Sequence, residues 1–396
     1  MASTLGKNTS YDLTVGLKID MDELIYMINP VDSPMINGIA ADGKQILASS
    51  GVTETSFSWM DEQILLPRAK VDATNSDTGT SMLLVSVSAA DSYKFQVGDL
   101  ITVMDEGAAQ HNAVLRISSV DNSNGNMVVT GWANHGDQTA LAVGDIVTVL
   151  GTALVEGSDP GEARTNDRVK RTNYTQIFGP TPIHMSRTEQ QIAKYGVSDE
   201  FAKQVYNRSV ENVISREQAY LYGQAVDNTS GALAKTRSTG GLSYWLTSNV
   251  STDTALSVAT VNTQLQACYN AGGVPDLLIA NPASLGDLNA ITANDRVRTV
   301  IDDPRRGRVP TMSIMTEFGE VSVTRNRWCN AETAFLLKKE NIQRRVMQPL
   351  VVEALAKTGD ADKVQLVCEE GLQVKGQNHM AFFKQLTTYD GHAEAL

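Results

Sequence analysis

VVEALAKTGDADKVQLVCEEGLQVKGQNHMAFFKQL occupies residues 351–386 of a 396-residue chain. Four strand-like runs stand in it: VVEAL, KVQLVCEE, LQVKG and HMAFFKQL. Each is short, rich in Val, Leu or Phe, and free of Pro, the composition of a paired strand. The chain therefore closes on extended sheet rather than on helix.

Upstream of it the pattern mixes helix and strand. Residues 256–270 (LSVATVNTQLQACYN) predict a helix ended by Gly272-Gly273. A buried strand, DLLIAN, follows at 276–281, and Pro282 opens a second helix over ASLGDLNAI. TMSIMT, EVSVTRN, AFLLKK and IQRRVM predict further strands. Before this block, residues 228–252 read as a Ser/Thr/Gly-rich connector. The longest predicted helix spans 198–226, with Ser198 as its N-cap and Asp199 and Glu200 in its first turn. Phe201, Val205, Val210, Val213, Ile214 and Leu221 recur along it at helical spacing. At 1.5 Å per residue such a helix is about 40 Å long and needs a wide surface to lie on.

Residues 81–154 form a different block, rich in Val, Ser, Gly and Asp and poor in Lys and Arg. MLLVSVS, DLITVM, AVLRISSV, NMVVTGW and DIVTVLGTAL predict short strands separated by turns such as DNSNGN. FQVGDLITVM at 95–104 resembles LAVGDIVTVL at 141–150, so Val-Gly-Asp and then Thr-Val recur 46 residues apart. The repeat predicts two equivalent strands of one small barrel, with Gly98 and Gly144 making the turns and Asp99 and Asp145 capping them. On either side lie extended pieces. Val52, Thr53, Thr55, Phe57 and Trp59 predict a half-buried strand within 52–66. Residues 155–185 carry Pro160, Pro180 and Pro182 and a basic cluster of Arg164, Arg168, Lys170 and Arg171. Residues 1–48 read as an arm, with a short helix near 20–28 broken by Pro30 and Pro34.

Composition limits the chemistry. The chain is 42% hydrophobic and 20% charged, an ordinary globular balance, and long enough for two to four structural units. No apolar run is long enough for a membrane helix, and the N-terminus lacks the pattern of a signal peptide. Cys268, Cys329 and Cys368 form neither a CxxC pair nor a disulfide framework and predict buried thiols. The N-x-S/T triplets at Asn173 and Asn207 read as chance matches. A net charge of −12 argues against sequence-specific DNA binding, though not against a container whose wall must not glue down its cargo.

No catalytic, cofactor or metal site is predicted. Gly38 to Lys44 mimics a P-loop, but Gln45 replaces the hydroxyl residue that holds Mg²⁺, and the strand–helix context is missing. The five histidines are scattered, and there is no HExxH or GxSxG. Asp302-Asp303 and Glu369-Glu370 read as solvated faces. The mixed-charge stretch Asp302, Asp303, Arg305, Arg306 and Arg308 reads either as an exposed loop or as a contact with a neighbouring subunit.

The order of elements is arm, long β excursion, long helix, α/β block and closing strands. It resembles the Hong Kong 97-type fold of tailed-phage major capsid proteins. Helix 198–226 after the Pro-rich 179–185, LLIANPASLGDLNAI at 277–291 and the closing 351–386 carry the resemblance. It implies an α+β chain with an N-arm (1–48), an outgoing E-loop strand (49–80), an inserted small β-barrel (81–154) and an E-loop return (155–185). A P-domain with a spine helix (186–252), an A-domain (253–349) and closing P-domain strands with a tail (350–396) complete it.

It further implies a non-enzymatic subunit, made in a host cytoplasm, that assembles as hexamers and pentamers of an icosahedral head around double-stranded DNA. A portal, a separate scaffolding protein and possible decoration proteins are the implied partners, with no membrane and no cofactor. Phe57, Trp59, Ile64, Leu65 and Leu66 on the outgoing strand, and Met27, Ile28 and Ile36 on the arm, are then expected to be exposed in a lone subunit and covered by neighbours. Arg164, Arg168 and Arg171 join the expected contacts. An encapsulin-like nanocompartment shell and a carbohydrate-binding module remain the alternatives.

Overall fold

A computed structural model describes residues 32–38, 45–62, 68–73, 82–104, 110–133, 143–154, 156–157, 168–192, 194, 197, 199–230, 233, 235–252, 255–289, 296–303, 307–357 and 359–386. The chain divides into two compact units: Met1–Trp59 with Lys170–Leu396, and Met60–Val169 between them. Strands Ser56–Glu62 and Arg168–Tyr174 pair as a two-stranded ribbon. The predicted helix near 20–28 and most of the P-loop mimic lie outside the described residues.

The first unit holds two large sheets. One has four strands in the order Ala48–Gly51, Ile342–Ala354, Ala361–Val374, Gln176–Ser186. The closing strands dominate it. Ile342 pairs with Val374 and Ala354 with Val364 along a long antiparallel ladder. The other sheet has seven strands, in the order Val250–Thr252, Ala381–Lys384, Ala334–Leu337, Leu277–Ala280, Gly319–Arg325, Gly307–Thr316, Arg296–Asp303. Leu277–Ala280 is buried along its whole length, as a central strand covered on both faces must be. Helix Val258–Asn270 begins at Ser257, which forms a reciprocal capping box with Thr260.

The long helix runs over Glu200–Tyr222. Its N-cap is Asp199, whose carboxylate accepts the Ala202 amide at 3.0 Å, and not Ser198 as the sequence suggested. It stops four residues earlier than expected, at Gly223, where a Cβ would lie 2.4 Å from the Thr239 carbonyl oxygen and 2.5 Å from that of Ala219. Its buried face also differs. Asn212, Arg216, Glu217, Tyr220 and Leu221 are buried, while Val205, Val210, Val213 and Ile214 are only half-buried. The helix therefore lies on its support through polar groups as much as through apolar ones.

In the second unit six strands close into a barrel: Arg68–Ala73, Met82–Val87, Asn126–Ala133, Gln110–Asp121, Asp99–Met104 and Ile146–Thr152. The first of these precedes the block that composition marked out. The Val-Gly-Asp repeat supplies two neighbouring antiparallel strands, with Asp99 opposite Thr152 and Met104 opposite Ile146. Gly98 and Gly144 have φ of 93° and 103°, the left-handed region that their turns require. Asp99 and Asp145 are buried beside them. The Asp99 carboxylate accepts the Gln96 amide at 3.0 Å and the Thr152 hydroxyl at 2.7 Å, which closes the turn onto the facing strand. Inward side chains, among them Ile101, Val103, Leu115, Ile117, Met127, Val129 and Val147, fill the interior.

Candidate functional site

The outgoing strand Ser56–Glu62 alternates as a half-buried strand should, with Phe57 and Trp59 on the inner face. These two residues are not exposed, as the shell reading required, but buried in their own unit. Phe57 stacks on Trp59 at 6.2 Å, and Trp59 meets the edge of Trp245 at 5.0 Å. Gly371, in the middle of a closing strand, makes the space, since a Cβ there would stand 2.8 Å from the Phe57 ring. Ile36 is likewise buried, beside Met35. Ile64, Leu65, Leu66, Met27 and Ile28 lie outside the described residues.

What the ribbon does expose is Met60, at 67%, and Val169, at 51%. Sequence reasoning missed both, although the alternation that turns Phe57 and Trp59 inward already places Met60 off their face. Arg168, from the basic cluster, pairs with Glu62 at 3.2 Å on the exposed surface. Arg171 is half-buried, and Arg164 lies outside the described residues. Asp302 and Asp303 form the backbone end of a hairpin, opposite Arg308 and Gly307. Arg305 and Arg306 fall outside the described residues.

Glu369 and Glu370 are the clearest departure from expectation. They are not a solvated pair. Glu370 is buried and receives the Arg216 guanidinium at 2.8 Å, with Arg344 at 3.6 Å from its second oxygen. Glu369 takes Arg237 at 3.1 Å and the Thr175 hydroxyl at 2.6 Å. Desolvating such carboxylates is costly, and the paired guanidinium groups offset that cost. Asn173 is fully buried too. Its amide donates to the Thr239 hydroxyl and the Gly240 carbonyl, and its oxygen accepts the Gly240 amide, so its sequon is inaccessible.

The three cysteines are held as buried thiols. Cys268, Cys329 and Cys368 are free and buried, and burial pushes Cys268 and Cys368 up to about 11 and raises Cys329 as well. Such thiols stay protonated near neutral pH and are poor nucleophiles. A cavity of about 390 Å³ lies at the start of the long helix. There the Lys194 ammonium bridges Glu189 at 2.5 Å and Glu200 at 3.6 Å. Among the described residues no His/Cys/Asp/Glu group could hold a metal ion, and no helix is long and apolar enough to cross a membrane.

The β excursion, the long helix that follows it and the closing ladder are the parts of a Hong Kong 97-type phage capsid fold. A cyanophage A-1(L) capsid protein has this fold, at 11% identity over 96% of this chain and 100% of that one, with a TM-score of 0.50. A family model for the SU10 major capsid protein matches residues 4–387, and the chain belongs to that family. The capsid of Myoviridae phage XM1 is also similar, at 11% identity over 97% of this chain and 100% of that one, with a TM-score of 0.47. A SrpI encapsulin from Synechococcus elongatus PCC 7942 matches at 9% identity over 58% of this chain and 81% of that one, with a TM-score of 0.42. No curated protein sequence matches the chain.

Proposed function

We propose that this major capsid protein closes as hexamers and pentamers into an icosahedral head around double-stranded DNA. Residues 49–80 and 155–185 act as the E-loop, 186–252 and 350–396 as the P-domain, and 253–349 as the A-domain. The observation that carries this reading is the family match over 4–387, which covers all of these segments but the last nine residues. Exposed Met60 and Val169 supply apolar surface for a neighbour on the ribbon. A net charge of −12 suits an inner wall that holds DNA without binding its sequence. A portal, a separate scaffolding protein and any decoration protein complete the assembly.

Negative-stain microscopy of the expressed protein, with and without its scaffold, tests this reading. Shells, tubes or six-fold rings are expected; a monodisperse monomer at high concentration overturns it. Trp59→Asp is expected to disrupt the subunit itself, because it puts a charge into a packed aromatic cluster. Met60→Asp is the cleaner probe. It is expected to leave the melting temperature within a degree or two of wild type and to abolish ordered particles. Normal shells from Met60→Asp would remove the ribbon from the interface.

A further inference from the structure

The outer wall of the barrel is not what a sheet facing water carries. Such a sheet turns apolar side chains to its core and polar ones to solvent. Ile101, Leu115, Ile117 and Val129 point into the barrel, so their neighbours Leu100, Arg116, Val128 and Thr130 stand on the outside. Leu84 lies opposite Val128 on the same wall, and Trp132 follows two residues after Thr130. Leu150 is the extra residue of a bulge beside Leu100, whose register partner is Gly151. Leu84, Trp132 and Leu150, with Val97 and Leu154 at the rim, are between 41% and 57% exposed.

One cation stands in this apolar wall. Arg116 is flanked in register by Leu100 on one strand and Thr130 on the other. Its guanidinium reaches the turn at Gly98, where a Cβ would lie 3.7 Å from Arg116 Nη2, 3.7 Å from Leu154 Cδ2 and 3.8 Å from Thr152 Cγ2. Among the described residues Arg116 has no ion pair, and its Nε has neither exposure nor a hydrogen-bond partner. Residues 81–154 hold seven carboxylates and two cations, and the other cation, Lys94, pairs with Asp91 at 2.5 Å. The block thus pairs its lysine and leaves its arginine unpaired among exposed apolar groups. Arginine set in an apolar, water-excluding surround is the composition of an interface anchor.

We propose that this wall docks a second copy of the chain, with Arg116 as the anchor for a carboxylate of that copy. The proposal rests on the shell reading above and names one contact within it. Charge selects the occupant. A block with seven carboxylates and two cations repels nucleic acid. The chain as a whole carries 45 acidic against 33 basic residues, so a copy offers the carboxylates that Arg116 lacks. The strand positions around Arg116 supply none, so the wall cannot be its own complement. The contact is therefore heterologous, the kind that closes identical subunits into rings.

Hydroxyl-radical footprinting of the full chain reads the contact without any substitution. It compares free subunits with particles assembled from the purified chain alone, in which only a copy can cover the wall. Oxidation of Trp132, Leu150 and Leu154 is expected to fall at least about fivefold on assembly, as side chains that pass from half-exposed to buried. Equal oxidation in both states overturns the inference and leaves the shell reading standing, because the particles are there. Protection that appears only when scaffold is added assigns the wall to the scaffold and overturns it too. If the chain forms no particles with or without scaffold, the shell reading falls and takes this contact with it. Arg116→Ala is expected to raise the concentration needed for assembly about tenfold, with the melting temperature within a degree or two of wild type. An unchanged assembly concentration in that variant removes Arg116 as the anchor.

Discussion

The barrel and the first unit solve the same problem in opposite ways. The barrel's apolar core comes from one stretch between Ala69 and Val147, and the uncharged polar residues buried with it are the hydroxyls Ser86, Ser92 and Thr102. Its buried aspartates, Asp99 and Asp145, sit at the turns. The first unit is built from both ends of the chain, and its interior carries charge. Arg216 and Glu370 meet across 154 residues, Glu217 and Met35 across 182. Apolar burial is non-directional and suits a barrel whose strands all come from one stretch of chain. Hydrogen-bonded charge is directional, and it selects which distant segments meet, because a wrong partner would leave a buried ion unpaired.

The largest effects test that contrast. Glu370→Ala strands Arg216, and with it Arg344, and is expected to cost about 3–5 kcal/mol in urea unfolding of the first unit. The double change Arg216→Met with Glu370→Leu is expected to recover most of that loss. No recovery would mean that the pair has a role beyond satisfying itself. In the barrel the comparable loss comes from truncating apolar bulk. Ile117→Ala, at a fully buried position, is expected to cost about 2–5 kcal/mol. Faster hydrogen exchange should then be confined to the barrel strands; equal loosening of Leu277–Ala280 would break the comparison.

The contrast also explains what could be read in advance. The barrel was legible because its signals are local. Val-Gly-Asp followed by Thr-Val occurs twice, and each copy carries its own turn glycine and capping carboxylate. The long helix was legible at its start, where acidic residues gather, but not at its end. Gly223 stops it by close approach to Thr239, a residue outside the helix. Glu369-Glu370 was misread because two adjacent carboxylates look solvated, and the arginines that pay for their burial lie far away in sequence. The exposure of the ribbon was misread for a similar reason. Alternation tells which face Phe57 and Trp59 share, but not that Trp245 and Gly371 wait against that face.

Smaller effects sharpen the comparison at the edges of each unit. Thr152→Val deletes the hydroxyl that donates to Asp99 at 2.7 Å and is expected to cost about 1–2 kcal/mol, read as an earlier thermal transition. That is less than Ile117→Ala, because Asp99 keeps the Gln96 amide.

Arg168→Ala should do least. Its side chain is 66% exposed and that of its partner, Glu62, 44%, so water screens the pair and holds both groups nearly as well when they part. The expected loss is below about 0.5 kcal/mol, within the error of a melting curve. The near-zero value is the informative part. Arg168 stands on the same exposed ribbon as Met60 and Val169, so a change that leaves the subunit intact isolates what the ribbon does between subunits. Particle yield that falls in Arg168→Ala while the melting temperature holds would assign this arginine to the interface. A parallel loss of both would place it among the groups that hold the subunit together, and erase the distinction between the charged interior and the charged surface.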